Sequence, residues 1–229
     1  MSDVLSGRKS EWIFEPDRLR IRPAASAPKV LRALGEREVP YRAVAEISVV
    51  PGGRGTVLLR LTPRPGACPI TTVAAGQLKP QHLPYSLVLP AERRTLAEYY
   101  AEEMTTGLSE TGPADSFLIP GPDVPRGFKA WDGAASFDGE NVTFKWFWSG
   151  ATTRKFNTGD QRYRITDIEG VEWFAPTAGS GSLRLRVRGQ EREPDAAKDP
   201  ASVIFGLGYG ATHMSLPFAA AVLSRVTRA

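Results

Sequence analysis

Apolar and charged residues alternate strictly along Arg18-Leu-Arg-Ile-Arg22, and the same period returns downstream at Ser182-Leu-Arg-Leu-Arg-Val-Arg188. A period of two turns successive side chains to opposite faces of a strand, one packed and one wet. Trp12-Ile-Phe14 precedes the first run across Glu15-Pro-Asp17, and Ala135-Ser-Phe137 precedes Asn141-Val-Thr-Phe-Lys-Trp-Phe-Trp148 across Asp138-Gly-Glu140. Each reads as a hairpin, because proline, aspartate and glycine supply turn geometry. Phe14 and Phe137, Leu19 and Val142, and Ile21 and Phe144 all stand at one common offset. The chain therefore states one pattern twice, and a repeat constrains the fold more than any single motif does.

The repeat continues through Val39–Val49 and Tyr163–Trp173. Tyr41, Val44, Ile47 and Val49 match Ile165, Ile168, Val171 and Trp173 in spacing, which predicts one core strand in each half. Small-residue turns follow, Pro51-Gly-Gly-Arg-Gly55 and Thr177-Ala-Gly-Ser-Gly181, with Gly55 answering Gly181. Next come alternating strands at Thr56–Leu61 and Ser182–Arg188, then apolar strands at Tyr85–Leu89 and Ser202–Phe205. Each half closes on a helix. In the first, over residues 91–108, Leu96, Tyr99, Tyr100, Met104 and Leu108 recur at three- and four-residue intervals, an amphipathic stripe. In the second, over residues 215–226, Pro217 fits the first turn, and Arg225 and Arg228 suit the C-terminal end. The insertions Pro23–Leu34 and Ser149–Asp160 read as loops, and as the place where the halves differ. Val142, Phe144, Trp146 and Trp148 share parity and are expected in the core, with Phe147 on the opposite face.

At 229 residues, with 41% hydrophobic and 24% charged residues, the chain can fill two domain cores. Thr111–Pro125 is rich in proline and glycine and reads as a linker, with Phe117-Leu-Ile119 able to dock as an edge strand. The boundaries that follow are a tail at residues 1–10, a first domain at 11–110, a linker at 111–130 and a second domain at 131–229. A net charge of +4 is modest, and neither half is a basic domain, which disfavours nucleic acid. The single cysteine, Cys68, excludes an intrachain disulfide and fits a reducing compartment. No apolar run approaches the ~20 residues that cross a bilayer, and the N-terminus has no signal-peptide pattern. A cytoplasmic protein, peripheral to the membrane at most, is expected.

Four stretches carry a family likeness: Ala135-Ser-Phe-Asp-Gly-Glu140, Asp167-Ile-Glu-Gly-Val-Glu-Trp173, Leu183-Arg-Leu-Arg-Val-Arg-Gly189 and Leu118-Ile-Pro-Gly-Pro122. They resemble an actinobacterial family of unknown function built from two tandem pleckstrin-homology-like (PH-like) domains. The resemblance covers nearly the whole chain after residue 10. It implies a mainly β (β-rich α+β) fold of two tandem domains, each a bent antiparallel sheet or partial barrel capped by a C-terminal helix. No catalytic or binding residue carries over from it. PH-like domains generally bind protein segments, lipid headgroups or copies of themselves, so the likeness implies binding more than catalysis.

The residues offer little catalytic material. His82 and His213 with Cys68 lack the spacing of a zinc site, and surface or loop positions are expected for both histidines. Cys68 reads as an idle thiol. Gly206-Leu-Gly-Tyr-Gly210 fits neither the dinucleotide nor the P-loop spacing and reads as a flexible connection. No cofactor or metal is expected. Two basic strand faces stand out, Arg18, Arg20 and Arg22 in one half and Arg184, Arg186 and Arg188 in the other. Their members lie ~7 Å apart, which suits phosphates or, equally, acids on a neighbouring strand. Arg154, Lys155, Arg162 and Arg164 flank the Ser149–Asp160 insertion and are candidate contacts to an anionic ligand. The expected function is a non-catalytic interaction protein that binds protein segments, or itself, through a sheet edge or helix groove. Anionic lipid binding through the second half is the alternative, followed by an enzyme with an unfamiliar site.

Overall fold

The computed structural model of the protein describes residues 3–177, 179–206 and 208–227. It is mainly β, with four antiparallel sheets and two compact units. One unit holds residues 1–68 and 79–120; the other holds 69–78 and 121–229.

In the first unit β1 (Asp3–Ser6), β2 (Ser10–Phe14), β3 (Arg18–Pro23) and β4 (Arg37–Pro40) form one sheet in chain order. The period of two is realised as expected: Leu19 and Ile21 are buried, and β2 pairs Trp12 with Ile21 and Phe14 with Leu19. β5 (Val44–Pro51), β6 (Thr56–Pro63) and β7 (Ser86–Pro90) form a second sheet, and α3 (Arg94–Thr106) follows. A short helix, α1 (Lys29–Leu34), bridges β3 and β4, and α2 (Pro69–Ala74) lies between β6 and β7 in the chain but within the other unit.

The second unit repeats this plan. β8 (Arg126–Lys129), β9 (Gly133–Phe137), β10 (Asn141–Trp146) and β11 (Gln161–Arg164) make the four-stranded sheet, with α4 (Thr153–Thr158) before β11. β12 (Ile168–Thr177), β13 (Ser180–Val187) and β14 (Ser202–Gly206) make the three-stranded one, and α5 (Thr212–Leu223) closes the unit. Phe128, Phe137, Phe205 and Phe218 meet edge to face in its core.

Several expectations change. Val39–Val49 and Tyr163–Trp173 are not single strands. A 3-10 turn, Tyr41–Ala43 or Ile165–Asp167, passes the chain from one sheet to the other. Both corners are pinned alike: Tyr41 N–H donates to Asp17 O and Ile165 N–H to Glu140 O, while Arg64 and Arg188 donate to Ala43 and Asp167. The insertions after the first hairpins are not loops either, nor the place where the halves diverge. Each is a short helix ending on a glycine at φ 73° (Gly35) or 68° (Gly159), a conformation that L side chains disfavour.

Within the expected tail lies β1, paired with β2, and within the expected linker lies β8, paired with β9. Phe117–Ile119 adds no strand, but Leu118 and Ile119 N–H donate to Ala67 O and Ile119 is buried. Trp148 is 83% exposed and not a core residue, because β10 ends at Trp146 and the chain turns through Phe147–Gly150. Val142, Phe144 and Trp146 are buried as expected. Pro217 falls beyond the first turn, since α5 begins at Thr212. On α3 the buried face is Ala97, Ala101 and Met104, leaving Leu96 and Tyr99 exposed. The cross-strand pairs Val49–Leu59 and Trp173–Leu183 align Gly55 with Gly179, both at positive φ, and not with Gly181. Leu207, in the glycine-rich run, Ala178 and Arg228 lie outside the described residues.

Candidate functional site

The first arginine face is spent on neighbours. Arg18 pairs with Glu38 at 2.7 Å and Asp17 at 3.0 Å, Arg20 with Glu15 at 2.6 Å, and Arg22 with Glu36 at 2.9 Å. These are mostly exposed pairs, screened by solvent and of little weight for stability, and they neutralise the face. The second face is divided. Arg184 is buried against Asp199 at 3.1 Å, Arg186 donates to Glu169 O, and Arg188 pairs with Glu169 at 3.3 Å.

The four candidate anion contacts do not form one cluster. Lys155 is fully buried: its Nζ donates to Asp132 Oδ2 at 2.6 Å and Ser202 O at 2.7 Å, and lies 4.9 Å from the Trp146 ring centroid. Asp132 also accepts from Ile204 N–H at 2.9 Å, so the carboxylate ties α4 to β14. Burial holds the Lys155 pKa below its ordinary value, against the pull of Asp132. Lys155 is set inward by α4, a helix of six residues that is too short to show an apolar period in the sequence. Arg154 turns outward to Glu193 at 2.5 Å. Arg162 and Arg164 sit exposed on the edge strand β11 and make no ion pair among the described residues. They line a cavity of about 650 Å³ with Glu140, Asn141, Ile165 and Thr166.

Among the described residues, no group of three or more His, Cys, Asp or Glu side chains is arranged to hold an ion. Cys68 is buried 3.0 Å from the Tyr85 hydroxyl. His82 stands in a 3-10 turn with its pKa lowered by burial and by Lys79 and Lys9. His213 opens α5.

The grooves beside the closing helices are more informative. In the second unit β12 is the end strand of its sheet, and α2 packs on both α5 and β12. Gln77, just past α2, completes the edge: its Nε2 donates to Trp173 O at 2.9 Å, and its Oε1 accepts from Ala175 N–H at 2.9 Å. A side-chain amide thus supplies the donor and acceptor that a neighbouring strand would bring. Trp173 is buried there, its Nε1 donating to Ser215 Oγ at 3.1 Å. In the first unit β5 is likewise an end strand, and Val49 holds the place of Trp173. Val49 is only half-buried, and a cavity of about 560 Å³ runs between Ile47–Val49 and Glu98, Ala101, Glu102, Thr105 and Thr106 of α3.

A family model described as a domain of unknown function (DUF4429) matches residues 12–105 and 135–223. The chain belongs to this family and carries its domain twice. A comparison with curated proteins gave no match. Between the two DUF4429 regions the connection after the middle strand of the second sheet differs most: residues 64–85 join β6 to β7, against 188–201 for β13 to β14. The longer connection contains α2 and Gln77, a segment the sequence reading passed over. Its signal was modest: Pro69 opening a turn, with Ile70 and Val73 three residues apart.

Proposed function

We propose that the protein is a non-catalytic interaction protein whose DUF4429 domains are PH-like and bind protein segments in the groove between the closing helix and the adjoining strand edge. The order of four strands, a corner, three strands and a helix, stated twice, supports the PH-like reading. The observation that carries the binding mode is the contrast between the grooves. One is covered by α2 and Gln77, so this architecture accepts a short apolar helix followed by an amide on its edge. The other is lined by Ile47, Val49 and Ala101 together with Ser48, Thr105, Thr106 and the acids Glu98 and Glu102, beside an end strand whose main chain needs little sequence signature to be recognised. A segment of another protein or of a second copy fits the description equally.

Phage-displayed peptides selected against the full chain test this, with the Thr105→Trp variant as the blocked control, since Thr105 is exposed and lines the open groove. Peptides with apolar residues at helical spacing should enrich on the natural chain and lose binding at least tenfold on the variant. No enrichment, or enrichment indifferent to Thr105→Trp, overturns the reading. A second reading, contact with anionic lipid headgroups, rests on Arg162 and Arg164 at the 650 Å³ cavity.

A further inference from the structure

Next to the groove, on another face of α3, the first unit has a cavity of about 300 Å³. Phe14 and Tyr100 stack in it with ring centroids 4.3 Å apart, and Tyr99, 53% exposed, meets Tyr100 edge to face at 5.4 Å. Tyr41 adds a fourth ring, with its hydroxyl donating to Glu15 O at 2.7 Å. Asp3 and Glu103 stand at the mouth and make no ion pair among the described residues; Glu15, also there, is paired with Arg20 at 2.6 Å. Negative charge is felt inside: burial and then Asp17 and Glu15 push Tyr41 up to about 12, and burial and then Asp3 raise Tyr100. Aromatic faces with carboxylates at the rim suit a cation, because the ring quadrupole and the acids attract the same charge.

The duplicated unit shows what such a place accepts. Phe137 is the counterpart of Phe14, each ending its strand and pairing with Val142 or Leu19. With α3 beginning at Arg94 and α5 at Thr212, Phe218 takes the position of Tyr100 and Arg225 that of Gly107; Phe218 meets Phe137 edge to face at 6.5 Å, where Tyr100 stacks on Phe14 at 4.3 Å. The Arg225 guanidinium lies 5.8 Å from the Phe137 ring centroid and donates to Ala221 O at 3.0 Å and Ser224 Oγ at 3.2 Å. The acids differ as well: Asp3 pairs with Phe14 where Arg126 pairs with Phe137, and Glu103 aligns with Ala221. The second unit therefore provides its own cation over the aromatic floor. The first has glycine in that position, and carboxylates around it.

We propose that the Phe14–Tyr99–Tyr100 cavity is a binding site for a cationic side chain, an arginine presented by a basic segment of a partner protein. Its volume of about 300 Å³ has room for one such side chain. The site is separate from the groove, so failure of either proposal leaves the other standing.

The test titrates N-acetylarginine amide into the full chain carrying ring-labelled tyrosines and follows the Tyr99 and Tyr100 resonances. Saturable shifts are expected, with N-acetylcitrulline amide, the uncharged isostere, binding at least tenfold more weakly. Glu103→Gln should weaken arginine at least tenfold. Gly107→Arg should abolish the shifts by supplying an internal cation; Gly107 has φ −86° and ψ −4°, and a Cβ there meets only Met104 O at 3.5 Å, so the position takes a side chain without backbone strain. Thr105→Trp, on the groove face, should leave the titration unchanged. Absence of saturable shifts, equal binding of citrulline, binding that survives Gly107→Arg, or loss in Thr105→Trp would each refute the proposal.

Discussion

Replacing Lys155 by leucine tests whether the buried ion pair is a structural tie of the second unit. Leu31 is the natural guide, because α1 and α4 both end on a left-handed glycine and Leu31 occupies the position of Lys155. Leu31 is itself buried, so a leucine at this point of the fold is sterically precedented. The variant removes the contacts at 2.6 Å to Asp132 and 2.7 Å to Ser202 O and leaves a carboxylate 3% exposed without its counter-ion. Breaking one partner of such a pair costs about 3–5 kcal/mol, mostly the penalty of the charge left behind. The double change Lys155→Leu with Asp132→Asn removes both charges yet keeps an acceptor for Ile204 N–H, so it should recover all but about 1–2 kcal/mol. Urea unfolding followed by tryptophan fluorescence reads both. At slopes of ~1–3 kcal/mol/M, the single variant should lower the midpoint by more than about 1 M. A single variant within about 1 kcal/mol of the natural chain, or a double variant no better than the single, refutes the reasoning.

The same lysine predicts a pH dependence. Burial holds its folded pKa below 10.5, so between that folded value and 10.5 the unfolded chain binds more protons. Its contribution is fully present above 10.5 and is lost as pH falls through the folded pKa; the difference in unfolding free energy between the natural chain and Lys155→Met should rise with pH across that window, and a flat difference refutes it. Gly159→Ala and Gly35→Ala should each cost about 1–3 kcal/mol in urea unfolding, from backbone strain alone, since both glycines combine positive φ with ψ near 180° and nothing lies within 4 Å of the added Cβ at either site; neutral variants would contradict this. If Arg162 and Arg164 hold anionic lipid, sedimentation with phosphatidylserine vesicles should weaken by about 2 kcal/mol in Arg162→Ala/Arg164→Ala at low salt. Absent binding by the natural chain, or equal binding by the variant, ends the lipid reading.

The sequence by itself determined the duplication, the hairpins and the mainly β class, because strand parity and repeat spacing are local properties written into Leu19, Ile21, Val142 and Phe144. It also announced the closing helices, but not which face of α3 is buried: Ala97 and Ala101 allow close approach to the sheet, while the larger Leu96 and Tyr99 are left outside. Tertiary structure alone decided the rest. The apolar spacing of Tyr163–Trp173 is the same whether the chain runs straight or turns a corner, and only the hydrogen bonds to Glu140 and from Arg188 fix the turn. Lys155 looked like a surface cation until Asp132, distant in sequence, was brought against it. The grooves and the aromatic cavity depend on residues from several elements, and the feature that distinguishes them, a place filled by Gln77 or Arg225 in one unit and open in the other, exists only when the two copies are compared in three dimensions.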